Sequence, residues 1–206
     1  MVSQAEFQAA GFPVGGEPLG VDLADTLVTV TQPAADLLAD PERCAAWWSL
    51  QSDRLPPGAP APTLEATRQL RAAARAVLDA AQQGQNLPEP AVATLNQIAA
   101  AAPASPELHL RGGAPELRLR WHADDPAAPA LAQAAASVIS LLASPDAARL
   151  RRCANPACSM LFIATDARRQ FCTQNICANR VRAARHYHRQ HQRRPAPASH
   201  RSRARD

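Results

Sequence analysis

Four cysteines in the last third of the chain, Cys153, Cys158, Cys172 and Cys177, are spaced as C-x4-C, thirteen residues, then C-x4-C. Paired thiols in this layout can close a tetrahedral four-thiolate zinc site. A structural zinc contributes roughly 10 to 16 kcal/mol of folding free energy, enough to organise a segment with little hydrophobic core of its own. The expectation is one structural zinc ion and a C-terminal segment that unfolds without it. Two disulfides, a redox pair or an iron–sulfur cluster would use the same residue type. The residues after Met1 show no charged stretch followed by an apolar one, so a cytoplasmic setting with reduced thiols is expected. Thioredoxin-type chemistry requires C-x-x-C on a βα turn, and neither pair has that spacing. Zinc is the favoured reading, with a cluster or a catalytic thiol as the alternative.

The 206 residues are 47% hydrophobic, sufficient for one medium core and a small satellite module. No apolar run approaches the roughly 18 to 20 residues of a membrane span, so no membrane partner is expected. All 22 basic residues are arginine. Their placement is uneven: residues 1–148 carry 8 Arg against 16 Asp and Glu, a net of −8, whereas residues 149–206 carry 14 Arg against Asp166 and Asp206, a net of +12. A basic module of that density has the electrostatics of a phosphate-backbone binder, because neutralising phosphates releases condensed counterions. An arginine-rich tail with no specific partner would have the same count.

The elements that position these residues read as follows. Gly20 to Thr31 has Leu23, Leu27 and Val30 at helical spacing behind Asp22 as N-cap, and Pro41 to Gln51 forms a second helix carrying Cys44, Trp47 and Trp48. LPPGAPAP, 55–62, is a loop. Thr63 to Gln83 is a long helix ended by Gly84, and Glu89 to Ala102 is another. Leu108 and Leu110, then GGAP, then Leu117, Leu119 and Trp121 alternate with polar residues, a β-hairpin with one buried face. Ala127 to Ala143 is the last helix of a mainly α domain (α+β, with the hairpin) spanning residues 1–148. Trp47, Trp48, Trp121, His109, His122 and Asp25 could line a pocket for a small-molecule or protein partner, although tryptophans on helices also read as core, and Cys44 reads as a small buried hydrophobe. No Ser-His-Asp order, glycine-rich phosphate loop or H-E-x-x-H occurs, so a non-enzymatic protein is expected.

Residues 149–192 make the zinc module and 193–206 a disordered basic tail. Cys153-Ala-Asn-Pro-Ala-Cys158 is a knuckle, Met160 to Ile163 a short strand with Phe171 returning as its partner, and Cys177 opens a helix, a treble-clef-like arrangement. At 100° per residue Val181, Ala184 and His188 fall within about 40° of Cys177, while Arg182, Arg185, His186, Arg189 and Arg193 cluster from about 80° to 180°. With Arg151, Arg152, Arg168 and Arg169 nearby, this outward arginine stripe is the candidate nucleic-acid surface. His186, His188 and His191 are surface or packing residues, since four thiolates already close a tetrahedron.

RRCANPACSMLF, Asp166, Arg168-Arg169-Gln170-Phe171-Cys172 and Cys177-Ala178-Asn179-Arg180 together resemble the CGNR zinc-finger family over about 40 residues. The resemblance implies zinc on the four cysteines and carries the signature Asn and Arg onto Asn179 and Arg180. Ala178 stands in place of the signature glycine and Phe171 in place of the usual tryptophan. The N-terminal residues, with VDLADTL, Trp47 and the hairpin, resemble the ABATE domain that accompanies this finger. The implied protein is a stress-induced bacterial transcription regulator with its finger on DNA. For Arg180, a structural role on the zinc loops and a phosphate contact weigh equally. RNA in place of DNA, or a protein-interaction module with a purely structural zinc, are the alternatives. A homodimer would be usual for operator binding, yet no heptad or symmetric patch declares one in the sequence.

Overall fold

Helix caps and one two-glycine turn set most of the element boundaries. The computed structural model describes residues 4–12, 15–29, 33–173, 177–179, 181–183 and 187. Its elements run α1 (Gln4–Ala9), α2 (Leu19–Ala24), β1 (Leu27–Val28), β2 (Ala35–Asp36), α3 (Pro41–Leu50), α4 (Leu64–Gln82), α5 (Glu89–Ala100), β3 (Ala104–Arg111), β4 (Ala114–Trp121), α6 (Ala128–Leu142), β5 (Leu150–Arg152) and β6 (Leu161–Ile163). The strands pair as three separate antiparallel ribbons, β1 with β2, β3 with β4 and β5 with β6.

Asp40 accepts the Arg43 N–H at 2.8 Å to open α3, with Pro41 where a missing N–H is harmless. Thr63 caps α4 through the Ala66 N–H. At its other end Gly84 adopts φ 66°, and the N–H groups of Gly84 and Gln85 bond the carbonyls of Ala81 and Ala80, a Schellman closure. Helix α4 packs against α2, α5 and α6, and its Leu70, Ala74, Val77 and Leu78 are fully buried. Trp47 and Trp48 are core residues in edge-to-face contact, 4.9 Å between centroids, and the Trp48 indole N–H donates to Thr67 Oγ1 at 2.9 Å. Cys44 is buried beside the same hydroxyl.

Three expectations are corrected. The helix read over Gly20–Thr31 stops at Ala24, because the chain turns at Asp25 and Thr26 and the β-branched segment after it pairs as β1. Asp22 is not an N-cap but lies inside α2, where its carboxylate accepts the N–H groups of Gly16 and Glu17. Strand β6 pairs with Leu150–Arg152, not with Phe171, since the C-x4-C knuckle folds the chain straight back on itself.

The hairpin forms as expected around Gly112 and Gly113, both at positive φ as a tight two-residue turn requires. Its apolar face is exposed rather than buried. Alternation placed the leucines on one face, but α6, which follows, spends its apolar side on α2, α4 and α5, leaving each ribbon strand with only the other as its main neighbour.

Close packing of α2 on α6 rests on Gly20. Its N–H donates to Ser137 Oγ at 2.7 Å, and a Cβ there would stand 2.1 Å from Val138 Cγ2 and 3.0 Å from the Ala134 carbonyl. Gly20→Ala is therefore expected to destabilise by about 1–3 kcal/mol or more, read as a lowered melting temperature in thermal denaturation.

Candidate metal centre

The knuckle and the second cysteine pair converge because β6 has two working faces. Leu161 belongs to the main core together with Leu150, whereas Met160, Phe162 and Ala164 point the other way and pack with Cys153, Cys172 and Cys177. The first knuckle is tied by the Cys153 N–H to the Met160 carbonyl, the Cys158 N–H to the Asn155 carbonyl and the Ala157 N–H to Asn155 Oδ1. The second is tied to it by the Ala154 N–H donating to the Gln170 carbonyl. Residues 177–179 and 181–183 are helical, so Cys177 lies on a helix.

The four Sγ atoms lie within 4.8 Å of one another, with Cys158 3.7 Å from Cys172 and Cys172 3.5 Å from Cys177. A disulfide would need about 2.05 Å between sulfurs. Zinc–sulfur bonds of about 2.3 Å define a tetrahedral edge of about 3.8 Å, which these separations match. Without a cation the thiols cannot all ionise. Donation from Cys158 and then Cys172 pulls the Cys153 thiol down to about 2, while donating to Cys153 pushes Cys158 up to about 12 and raises Cys172 as well. A bound zinc ion supplies the charge that lets four thiolates coexist. The centre is a single structural zinc site held by Cys153, Cys158, Cys172 and Cys177.

Two carboxylates from the helical domain hold the free edge of β6. Both oxygens of Asp25 lie 3.0 Å from the Leu161 N–H, and Glu17 Oε2 accepts the Ile163 N–H at 2.9 Å. Asp25 is buried, and burial pushes its carboxyl well above the usual range, opposed by the Leu161 N–H and by Arg75 at 3.4 Å. Arg75 also donates to the Ser159 carbonyl and to Asp79. Asp22, raised to about 6 by burial and held back by Arg54, fixes the 16–17 turn that aims Glu17. Asp25 therefore lines no pocket with His109, His122 and Trp121. The two histidines lie on the hairpin, paired with Glu107 and Ser105.

Of the residues read as nucleic-acid contacts, Arg168 and Arg182 are exposed, as are Arg151 and Arg152. Arg182 donates to Asn179 Oδ1 at 3.2 Å. Arg180, Arg185, Arg189 and Arg193, together with Ala184 and His188 of the inward face, lie outside the described residues. Arg169 is turned inward. Its guanidinium stacks over Phe162 at 4.4 Å and donates to the carbonyls of Ile163, Phe171 and Cys172 and to Glu17 Oε1, so no N–H fork is left for a phosphate. Its place in an R-R-Q-F-C run signalled charge and could not reveal these partners. Ala178 is buried, with its N–H reaching the Thr173 carbonyl.

Titration with cobalt in place of zinc is expected to saturate at one equivalent with the visible absorption of a tetrahedral thiolate site, and Cys172→Ser to weaken binding by more than ~100-fold, beyond the range of outer-shell changes. Asp25→Ala leaves the Leu161 N–H without its acceptor and Arg75 with Asp79 as its one remaining carboxylate. A loss of about 1–3 kcal/mol in global stability is expected with the cobalt spectrum retained, and an unchanged melting temperature would refute the latch.

Residues 149–190 match the CGNR zinc finger, the segment in which the four thiols converge. Residues 17–145 match ABATE, described as "Putative stress-induced transcription regulator", and that match opens at Glu17 and covers more than half of the chain. No curated protein matches the chain. With both matches falling on the two units that β6 joins, the chain belongs to the ABATE family and carries a CGNR zinc finger.

Proposed function

We propose that this zinc-finger regulator binds nucleic acid, DNA in preference to RNA, through its finger, and that the helical domain senses a ligand or engages a partner. The observation that carries the reading is the different use of arginine in the two units. In residues 1–148 seven of the eight arginines are engaged, Arg54, Arg68, Arg71, Arg75, Arg118 and Arg120 in ion pairs and Arg43 on the Ala10 and Gly11 carbonyls and the Phe12 ring, leaving only the exposed Arg111 at the hairpin tip. In the finger, Arg149 pairs with Asp146 and Arg169 with Glu17, whereas Arg151, Arg152 and Arg168 are exposed and form no ion pair among the described residues. An arginine held at the surface without an acid is an open phosphate site. The net of +12 over residues 149–206 surrounds them with a matching field.

The family description supports a regulatory role and induction by stress. In this reading the protein works in the cytoplasm and performs no catalysis. No helix among the described residues is long and apolar enough to cross a membrane.

The test is a titration of zinc-loaded full-length chain against genomic DNA fragments and total RNA at several salt concentrations, beside an Arg151→Ala, Arg152→Ala, Arg168→Ala, Arg182→Ala variant. Binding is expected to weaken steeply with salt, to favour a subset of DNA, and to lose about one unit of salt slope per phosphate contact removed. Preference for structured RNA would move the reading to an RNA-binding zinc protein. Binding to neither polymer would sink it.

A further inference from the structure

Of the six large hydrophobic side chains exposed among the described residues, four lie on one face of the hairpin: Leu108 at 77%, Leu110 at 74%, Leu117 at 71% and Leu119 at 52%. Register makes this face continuous, with Leu108 opposite Leu117, Leu110 opposite Pro115, Pro106 opposite Leu119 and Ala104 opposite Trp121. Charged residues occupy the reverse face, where Arg120 pairs with Glu107 and Arg118 with Glu116. The leucines alone leave on the order of 400–500 Å² of apolar surface, as large as the largest patch on an ordinary monomer. Residues 193–206, RRPAPASHRSRARD, contain no large apolar side chain to lay there.

We infer that the leucine face of this hairpin is a self-association surface on which two copies of the chain stack their ribbons about a two-fold axis. A two-stranded ribbon is marginal alone, and two apolar faces packed about 10 Å apart make a four-stranded sandwich that buries both. A two-fold contact uses the same patch on each copy, so its chemistry must be self-complementary. This face is apolar throughout, and its charges are neutralised within each chain on the reverse side, so two copies meet without opposing like charges. Leucine burial on both sides totals on the order of 800–1,000 Å². Pro106, Pro115 and Trp121 carry it past the roughly 1,000 Å² that a specific interface needs. A cleft of about 940 Å³ continues the surface along β4, walled by Leu55, Pro56, Leu117, Leu119, Trp121 and Pro129. The inference goes beyond nucleic-acid binding and stands or falls separately from it.

Sedimentation velocity of zinc-loaded full-length chain over a concentration series tests it, beside a Leu108→Glu, Leu117→Glu variant and an Arg118→Gln, Arg120→Gln control on the reverse face. Circular dichroism and the cobalt spectrum verify folding, and a Leu108→Ser, Leu117→Ser variant repeats the test without added charge. The parent is expected to show a concentration-dependent dimer. The glutamate variant should dissociate at least ~100-fold more readily, the serine variant should fall between, and the control should match the parent. A chain monomeric at every concentration overturns the inference and leaves the face to a foreign partner. A dimer that the leucine variants retain overturns it as well. Monomers that float with lipid vesicles, and lose that with the leucines, assign the face to a membrane surface and also overturn it.

Discussion

The hydrogen bond from the Leu161 N–H to the buried Asp25 carboxylate is the constraint on which the two halves of the molecule depend. A carboxylate taken out of water is expensive unless its oxygens are satisfied. Asp25 meets that condition with a strand edge and an arginine that reaches across to the Ser159 carbonyl. Because the edge belongs to β6, and the other face of β6 carries Phe162 and Met160 to the thiols, order at the metal and order in the helical core are one problem. Glu17 repeats the device two residues along, at Ile163, and uses its second oxygen for Arg169.

Arginine illustrates how the same residue type divides by surroundings. Arg71 and Arg75 are buried in the helical domain because carboxylates await them, Asp36 for the first and Asp25 with Asp79 for the second. Arg169 is drawn in by three carbonyls, an aromatic face and Glu17. Arg151 and Arg152, on a strand of three residues whose pairing is satisfied by β6, meet no such offers and stay at the surface.

Much of the candidate site was legible in the sequence, since cysteine spacing encodes a tetrahedron locally and needs no knowledge of the rest of the fold. Helix α4 was equally readable from its closing Gly84 and α3 from Pro41 in its first turn, because such signals act within a few residues. What escaped were contacts made at a distance. Asp25 is 136 residues from Leu161, so nothing near VDLADTL announces the partner that ends α2 there. Alternation along β3 and β4 told which side chains share a face and was silent on whether another element would cover it. Phe171 was expected to return as the partner of β6, whereas the edges of that strand are taken by β5 on one side and two carboxylates on the other.

The two-faced character of β6 also bears on the order in which the chain can be built. The family boundary and the change of charge both fall near residue 148, yet Leu150 and Leu161 belong to the main core. Synthesis proceeds from the N-terminus, and domains fold as units when their last core residue is available. The helical layer therefore emerges from the ribosome with its helices complete, one wall missing and an acidic side chain facing the gap. It closes only when β6, which lies beyond the first knuckle, has followed and brought Leu161 to the core.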